Sequence, residues 1–321
     1  MFIPVAPLPS PRIVLKSAKW LHTNFLNLPW LIPEHDDLAA FPRGAYALAS
    51  LAKTVAKNAV FFFPSYYCND SLAPLRATGA ELVFYRVREN MCPDWDDVFS
   101  RAKVKKPDIL IVVDFGFLIP SWLLDLPKIA PLNIHPSLLP RWRGSTPGPS
   151  VLLHGDKKSA VTLMIMNEKM DEGPILSQIP FTVDPTWTQT EYYQTSFDLI
   201  CEKLGDHIEQ FLQKKIIPSI QPTKSPTPTA LKLTKEKAFI SWNEIKNAMQ
   251  NGEKATEIER ASRAFYPWPK LWTKVITNKG KKRFIIHSCF IDEKKHLQLD
   301  KVQLEGKSIN NWSEIKNSVL E

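Results

Sequence analysis

The apolar positions of this chain form two kinds of pattern, short continuous runs and longer stretches with a helical period. Runs at 59–63 and 81–87 predict two strands, and the segment 70–78 between them predicts a helix. A third run, at 159–166, predicts a buried strand that leads into a polar loop at 167–173. Strands that alternate with helices in this way are typical of an α/β fold built on one sheet.

The last third of the chain shows a different pattern. Apolar residues within 188–215 recur at helical spacing, so we expect a long helix that packs on the sheet. Residues 218–229 contain several prolines and predict a semi-rigid linker. Beyond it the pattern predicts a helix at 256–265, a turn at 278–280, and strands at 271–277, 283–292 and 296–304. This meander favours a small β-barrel, with Trp268 and Trp272 as core anchors.

The segment 131–148 combines a strand-like end with groups that can perform acyl transfer. Asn133 and His135 are two residues apart, so a strand would direct both side chains to the same face. An amide beside an imidazole can stabilise an oxyanion and carry a proton. Prolines end the strand, and a loop with Arg141 and Arg143 follows. The segment therefore predicts a transferase that acts on a negatively charged substrate.

Asp171 is the candidate for a third catalytic group. It lies in the polar loop after the predicted strand at 159–166, just before Gly173 and Pro174. A carboxylate at this place could orient the imidazole of His135 and accept a proton from an attacking amine. A structural histidine that merely follows a strand is the alternative interpretation of the same residues.

Composition narrows the class of protein. The chain has 321 residues, 44% of them hydrophobic and 23% charged, which suits two or three domains and includes no membrane-spanning run. The proline-rich N-terminus predicts an extended arm and no secretory signal. The 4 cysteines are scattered, which argues against a zinc site and favours the cytoplasm. Only 11 glycines and no phosphate-binding loop argue against a nucleotide site.

The positive charge is concentrated in the last hundred residues. Residues 221–321 contain 19 Lys and Arg against 11 Asp and Glu, an excess equal to the +8 of the whole chain. Such a basic module beside a neutral one indicates nucleic-acid binding, although a solvated lysine-rich surface would have the same composition. Together with the loop arginines Arg141 and Arg143, the candidate phosphate contacts are Arg263, Lys281, Lys282 and Arg283.

Several segments resemble a known family. Residues 133–144 (Asn-Ile-His-Pro-Ser-Leu-Leu-Pro-Arg-Trp-Arg-Gly), 161–164 and 171–176 resemble the catalytic core of 10-formyltetrahydrofolate-dependent formyltransferases. The Arg-Trp-Arg loop is most similar to the branch that acts on methionyl-tRNA. Residues 107–120 resemble the family's pterin-binding strand and loop, and 232–236, 240–242 and 263–269 resemble its linker and C-terminal domain. The resemblance covers about residues 105–321.

The resemblance implies a role for each matching residue. Asn133 would hold the oxyanion, His135 would assist it and move a proton, and Asp171 would position His135 and draw a proton from the amine. The folate pocket would be lined by Phe115, Gly116, Ser137, Leu139 and Pro140. The implied substrates are 10-formyltetrahydrofolate and methionyl-initiator tRNA, and the implied protein is a cytoplasmic monomer that needs neither a metal nor a membrane.

The same resemblance implies a domain plan. A Rossmann-like formyltransferase core would occupy 101–215, a linker 216–230, and an OB-like, tRNA-binding β-barrel 231–321. Residues 1–100 depart from the family, because no opening strand with a Gly-Thr-Pro-like turn is found. Residues 41–97 are instead similar to the start of a sugar aminotransferase that uses pyridoxal phosphate, without its cofactor lysine. An amino-sugar N-formyltransferase and an inactive chimera are therefore alternatives to the tRNA enzyme.

Overall fold

A computed structural model of the chain describes residues 2–4, 60–65, 69–89, 93–105, 107–113 and 119–319. The chain forms two compact units. The N-terminal unit comprises Met1–Arg143, Ala160–Phe181 and Tyr193–Pro228, and the C-terminal unit comprises Gly144–Ser159, Thr182–Tyr192 and Thr229–Glu321. The C-terminal unit therefore includes two short segments, 144–159 and 182–192, that lie in sequence between parts of the N-terminal unit.

A seven-stranded sheet with the order β3-β2-β1-β4-β5-β6-β7 is the centre of the N-terminal unit. Its strands are β1 Phe2–Pro4, β2 Val60–Pro64, β3 Glu81–Tyr85, β4 Ile109–Val113, β5 Ala130–His135, β6 Lys158–Ile165 and β7 Ile175–Thr182. The first five strands are parallel to their neighbours, and β6 is antiparallel to β5. This arrangement confirms the predicted α/β class.

Helices cover both faces of the sheet. In sequence order the helices of the described chain are α1 Asn69–Arg76, α2 Trp95–Lys105, α3 Ser121–Leu124, α4 Pro147–His154, α5 Gln189–Leu212, α6 Trp242–Asn251, α7 Ala255–Ala264 and α8 Trp312–Ile315. Phe61 and Phe63 lie in one core with residues of α1 and α5, whereas Phe62 lies in another core with α2 and α3. Because successive strand residues face opposite sides, strands buried on both faces carry continuous apolar runs.

The N-terminal part of the sheet corrects one expectation and confirms another. The predicted strand–helix–strand unit is present as β2, α1 and β3 at the sheet edge. We expected no opening strand at the N-terminus, which was wrong, because β1 lies between β2 and β4. The expected extended arm lies largely outside the described residues. Phe2 aligns with Phe61 and Ile111, and Pro4 aligns with Val113. Pro4 is tolerated because it is the last residue of the strand, where a missing N–H interrupts least of the ladder.

The C-terminal unit contains two small sheets. A four-stranded sheet has the order β13-β12-β9-β8, and β10 pairs with β11. These strands are β8 Leu271–Thr277, β9 Gly280–Ile286, β10 Cys289–Ile291, β11 Leu297–Leu299, β12 Lys301–Leu304 and β13 Ile309–Asn311. The predicted strand at 271–277 is confirmed, but a closed barrel is not formed within the described part of the chain.

Polar pairing explains why two predicted strands of the C-terminal unit are each divided. The run 283–292 splits into β9 and β10 at His287 and Ser288, and the run 296–304 splits into β11 and β12 at Asp300. Ser288 Oγ donates to Asp300 Oδ2 over 2.8 Å, and the two backbones also bond there. Because Ser288 and Asp300 satisfy each other's hydrogen-bonding groups, the chain can leave one sheet and enter the other at this point.

Among the helices, α5 and α7 confirm the predictions at 188–215 and 256–265. We did not predict α6, although its N-terminus carries a capping box formed by Ser241 and Glu244. Within the described residues, no helix combines the length and apolarity that crossing a membrane requires.

Candidate active site

The end of β5 and the loop after β6 bring the three predicted catalytic residues together. Asn133 Nδ2 donates to Asp171 Oδ1 over 3.3 Å, and His135 Nδ1 lies 3.6 Å from Asp171 Oδ2. The side chain of His135 is 5% exposed and that of Asp171 is 12% exposed. The spacing argument is confirmed in its geometric part, because Asn133 and His135 are presented to one carboxylate.

The backbone holds His135 in one tautomer. His135 Nε2 lies 3.1 Å from the carbonyl oxygen of Trp142. A carbonyl oxygen only accepts hydrogen bonds, so Nε2 must carry the proton in the neutral ring. The unprotonated nitrogen is then Nδ1, which faces Asp171. An imidazole nitrogen and a carboxylate oxygen that face each other at this distance form a site that can receive one proton.

Tight backbone packing shapes the loop that carries Asp171. Asp171 has a φ of 55°, in the left-handed region. A Cβ on Gly173 would lie 1.9 Å from the carbonyl oxygen of Ile165, so only glycine allows this approach. The side-chain amide of Gln221 donates to the carbonyl oxygens of Asp171 and Gly173, over 2.9 and 2.7 Å. The position of the Asp171 carboxylate is thus set by the close approach at Gly173 and by the hydrogen bonds from Gln221.

The residues predicted to line a folate pocket form the loop that follows His135. Ser137 and Leu139 are buried, and Pro140 is half-buried. The carbonyl oxygen of Ser137 accepts from Thr162 Oγ1 over 2.6 Å, and that of Leu139 accepts from Gln178 Nε2 over 2.9 Å. The predicted lining residues Phe115 and Gly116 lie outside the described residues. The loop is rigidly held beside His135, and its role in binding folate stays a prediction.

Arg143 does not lie where a phosphate contact was predicted. It is 6% exposed, and its guanidinium donates to Gln221 Oε1 and to the carbonyl oxygens of Pro222 and Thr223. Glu172 Oε1 lies 3.7 Å from Arg143 Nη1. This guanidinium is therefore used inside the N-terminal unit, because it satisfies backbone carbonyls that would otherwise be buried without donors.

Arg141 has a different environment. It is half-buried, with its guanidinium 5.6 Å from the ring centroid of Trp142. This separation is within the range of a cation–π contact.

Of the other predicted phosphate contacts, Arg263 forms an internal ion pair, whereas Lys281 and Lys282 are more exposed to solvent. Arg263 Nη2 donates to Glu259 Oε2 over 2.9 Å, and Nη1 donates to the carbonyl oxygen of Trp187. Lys281 is exposed and Lys282 half-exposed on β9.

Arg283, on the same strand, is held against an aromatic ring. Its guanidinium stacks 4.3 Å from the ring centroid of Trp272. Trp272 is half-buried, whereas Trp268, expected to anchor the core, is 51% exposed. Lys281, Lys282 and Arg283 are thus three consecutive basic residues of β9.

Gln221 is the site residue that the sequence did not reveal. It lies in the segment predicted as a linker, and its side-chain amide donates to two backbone carbonyls about 50 positions earlier in the chain and accepts from Arg143. A side chain that bonds to distant backbone leaves no periodic signal in a sequence. Cys289 is buried, and burial raises the pKa of its thiol to about 12, which disfavours the reactive thiolate form. The described residues also contain no cluster suited to a metal ion.

Comparison with known proteins identifies the class of this site. Residues 71–201 match the protein-family model described as formyl transferase. A methionyl-tRNA formyltransferase of Legionella pneumophila (strain Corby) is 34% identical over 177 residues, 55% of this chain and 53% of that protein. The corresponding protein of Pseudoalteromonas translucida (strain TAC 125) is 35% identical over 180 residues, 56% of this chain and 53% of that protein. The chain thus spans about half the length of the curated relatives it matches.

Solved structures share the fold at lower identity. HypX from Aquifex aeolicus in complex with tetrahydrofolic acid has a TM-score of 0.55 at 15% identity, over 80% of this chain and 46% of that one. Methionyl-tRNA formyltransferase from Clostridium thermocellum has a TM-score of 0.53 at 16% identity, over 76% of this chain and 96% of that one. The family match begins at residue 71, so it includes residues 71–97, which were expected to resemble an aminotransferase. Residues 71–201 of this chain are therefore similar to formyl transferases.

Proposed function

We propose that this chain transfers the formyl group of 10-formyltetrahydrofolate to the α-amino group of methionyl-initiator tRNA. The observation that carries the proposal is the convergence of Asn133, His135 and Asp171 within a segment that is similar to formyl transferases. An amide, an imidazole and a carboxylate in contact supply the oxyanion stabilisation and the proton transfer that acylation of an amine requires. The curated relatives named as methionyl-tRNA formyltransferases support the choice of acceptor.

In the proposed reaction the amine nitrogen attacks the formyl carbon, and the carbonyl oxygen becomes an oxyanion. One N–H of Asn133 is held by Asp171, and the second N–H of the same amide is the donor for that oxyanion. Collapse breaks the bond between the formyl carbon and N10 and releases tetrahydrofolate. One proton leaves the amine and one arrives on N10, and His135 Nδ1 beside Asp171 is the group that passes it.

The proposal also assigns the two substrate-binding surfaces. Ser137, Leu139 and Pro140, with Phe115 and Gly116, would line the folate pocket, and the bonded carbonyls of their loop support a preformed shape. Residues 231–321 would bind tRNA. The excess positive charge of the last hundred residues and the basic residues Lys281, Lys282 and Arg283 of β9 support this. This role in translation initiation implies a cytoplasmic protein.

The direct test is formyl transfer from 10-formyltetrahydrofolate to methionyl-initiator tRNA by the full chain. We expect transfer by the wild type, and a loss of at least about 100-fold in kcat for Asn133→Ala and Asp171→Ala. Asp125→Ala, which removes an exposed carboxylate at the end of α3, is the matched control and should keep full activity. Absence of transfer to tRNA together with transfer to an amino sugar would refute the acceptor but keep the catalytic assignment. Absence of both, with no binding of tetrahydrofolate, would indicate an inactive chimera.

A further inference from the structure

The segment 221–227 was predicted to be part of a linker, but it lies against the two loops that hold the catalytic groups. Its contacts belong to the N-terminal unit. They comprise hydrogen bonds between Gln221 and the Asp171 loop, between Arg143 and the first three residues of the segment, between Ser225 and Pro140, and between Thr227 and Trp142. Each bond involves the backbone or a side chain of a catalytic loop, so the segment is a structural part of the site.

Gln221 uses every hydrogen-bonding group of its side chain. Its Nε2 donates to the carbonyl oxygens of Asp171 and Gly173, and its Oε1 accepts from Nε and Nη2 of Arg143, over 3.2 and 3.0 Å. A primary amide offers two donors and two acceptor positions, so none is left over. With the residue 7% exposed, water cannot replace these bonds without opening the loop.

Arg143 fixes the direction in which this amide points. A guanidinium has only donors, so it must face Oε1, and Nε2 is thereby turned towards the Asp171 loop. A reversed amide would place N–H groups against N–H groups on one side and a carbonyl oxygen against two carbonyl oxygens on the other. The orientation that holds Asp171 is therefore the only one in which all groups are satisfied.

The other end of the segment acts on the partner of His135. Thr227 Oγ1 accepts from the backbone N–H of Trp142 over 2.7 Å, and the carbonyl oxygen of Trp142 is the group that bonds His135 Nε2. Trp142 itself has a φ of 57°, in a region that a bulky residue rarely adopts without support. One short segment thus bonds to the backbone on either side of the His135–Asp171 pair.

We propose that Gln221 is a positioning residue for formyl transfer, which sets the carboxylate of Asp171 against His135 through its amide. This inference rests on the proposed function, because it assigns Asp171 a role in catalysis. Gln221 does not contact the reacting atoms; it holds the loop that carries the carboxylate. The segment 221–227 is accordingly part of the catalytic machinery, and Thr227 performs the corresponding task for the carbonyl of Trp142.

The test uses Gln221→Glu in the full chain, because glutamate has nearly the shape of glutamine. A carboxylate keeps the contact with Arg143 and replaces the Nε2 donor by an oxygen that faces two carbonyl oxygens. We expect kcat to fall about 10- to 100-fold, as a displacement near 1 Å of a catalytic group would cause. The KM for 10-formyltetrahydrofolate should stay within about twofold of the wild type, since the folate loop is untouched. Gln213→Glu, at an exposed glutamine beyond the end of α5, is the matched control and should leave both constants unchanged.

A second variant and a structural readout keep the test decisive. Thr227→Val replaces the hydroxyl group by a methyl group of similar size, and it should lower kcat without a change in the dissociation constant of tetrahydrofolate. A crystal structure of Gln221→Glu should show Asp171 Oδ2 further from His135 Nδ1 than in the wild type. Wild-type kcat in Gln221→Glu, or an equal loss in Gln213→Glu, would overturn the proposal. If the wild type itself transfers no formyl group, the proposed function fails. Independently of activity, an Asp171 that has not moved in the crystal structure of Gln221→Glu would overturn the positioning role.

Discussion

Gly173→Ala tests whether close backbone packing fixes the catalytic carboxylate. The added Cβ would lie 1.9 Å from the carbonyl oxygen of Ile165 and 3.2 Å from the methyl group of Met164. The carbonyl of Ile165 at the end of β6 cannot rotate away, because it shares a planar peptide unit with the N–H of Met166, which donates to the carbonyl oxygen of Pro131 over 2.8 Å. The loop that begins at Asp171 must therefore move.

The size of this movement follows from the contact distance. Real Cβ–oxygen contacts lie at about 3 Å or more, so the backbone must separate by about 1 Å. A displacement of that size in a catalytic group reduces the rate about 100-fold. The hydrogen bond from Gln221 to the carbonyl oxygen of Gly173 would be strained at the same time, with a cost of about 1 kcal/mol in the free energy of unfolding.

The assay is steady-state formyl transfer to methionyl-initiator tRNA, with urea unfolding followed in parallel. Gly79→Ala is the matched control, because Gly79 has a φ of 77° but no atom within 4 Å of an added Cβ. This control should lose about 1 kcal/mol of stability through backbone strain alone and keep its kcat. If Gly173→Ala has the wild-type kcat, the close approach at Ile165 does not position Asp171, and the reasoning is refuted.

Three further predictions concern stability and nucleic-acid binding. Arg143→Met should lower the free energy of unfolding in urea by about 3 kcal/mol, because buried acceptors lose their donor; a change below about 1 kcal/mol would contradict the internal role. Lys281→Ala should reduce the slope of log affinity for tRNA against log salt by about one, whereas Arg263→Ala, which removes an internal ion pair, should destabilise the protein and leave the slope unchanged. The hydrogen bond from Arg101 lowers the pKa of Asp97, so the stability it contributes is present above the ordinary carboxyl pKa and is lost as the pH falls through the lowered value. Below about pH 4 the unfolding free energy of the wild type should therefore fall more steeply than that of Asp97→Asn, and parallel profiles would disprove the coupling.

The elements that the sequence predicted correctly are those whose pattern of apolar residues lies within the element itself. The strand at 159–166, the helix at 188–215 and the strand–helix–strand unit of the first hundred residues each carry a periodic pattern and were found close to their predicted bounds. The strand β1 was missed because three residues ending in a proline have no period, and its partners at Phe61 and Ile111 are distant in sequence. Such a short strand is specified by its neighbours in the sheet rather than by its own residues.

The residues of the candidate site likewise divide into those that the sequence predicts and those that only the tertiary structure reveals. Asn133 and His135 could be placed on one face from their spacing, and Asp171 could be named from its place in the polar loop after a predicted strand; the structure brings these three side chains together. The role of Arg143 was not predictable, because an arginine in a loop is ordinarily solvated and only the tertiary structure shows that it is buried. Gln221 was missed for the related reason that the groups to which it donates are backbone carbonyls, which every residue type supplies.

The central position of β1 has a consequence for how the protein acquires its sheet during synthesis. Phe2 is made before its partner Ile111, which follows more than a hundred residues later. At roughly 5–20 residues per second, this strand waits some 5–20 s on the ribosome before its second neighbour exists. Closing so long a loop is entropically costly, so the pairing should form late, after β2 and β3 have joined. Until then the edges of β2 and β4 stay open to other chains, and nascent molecules should depend on chaperones at this stage.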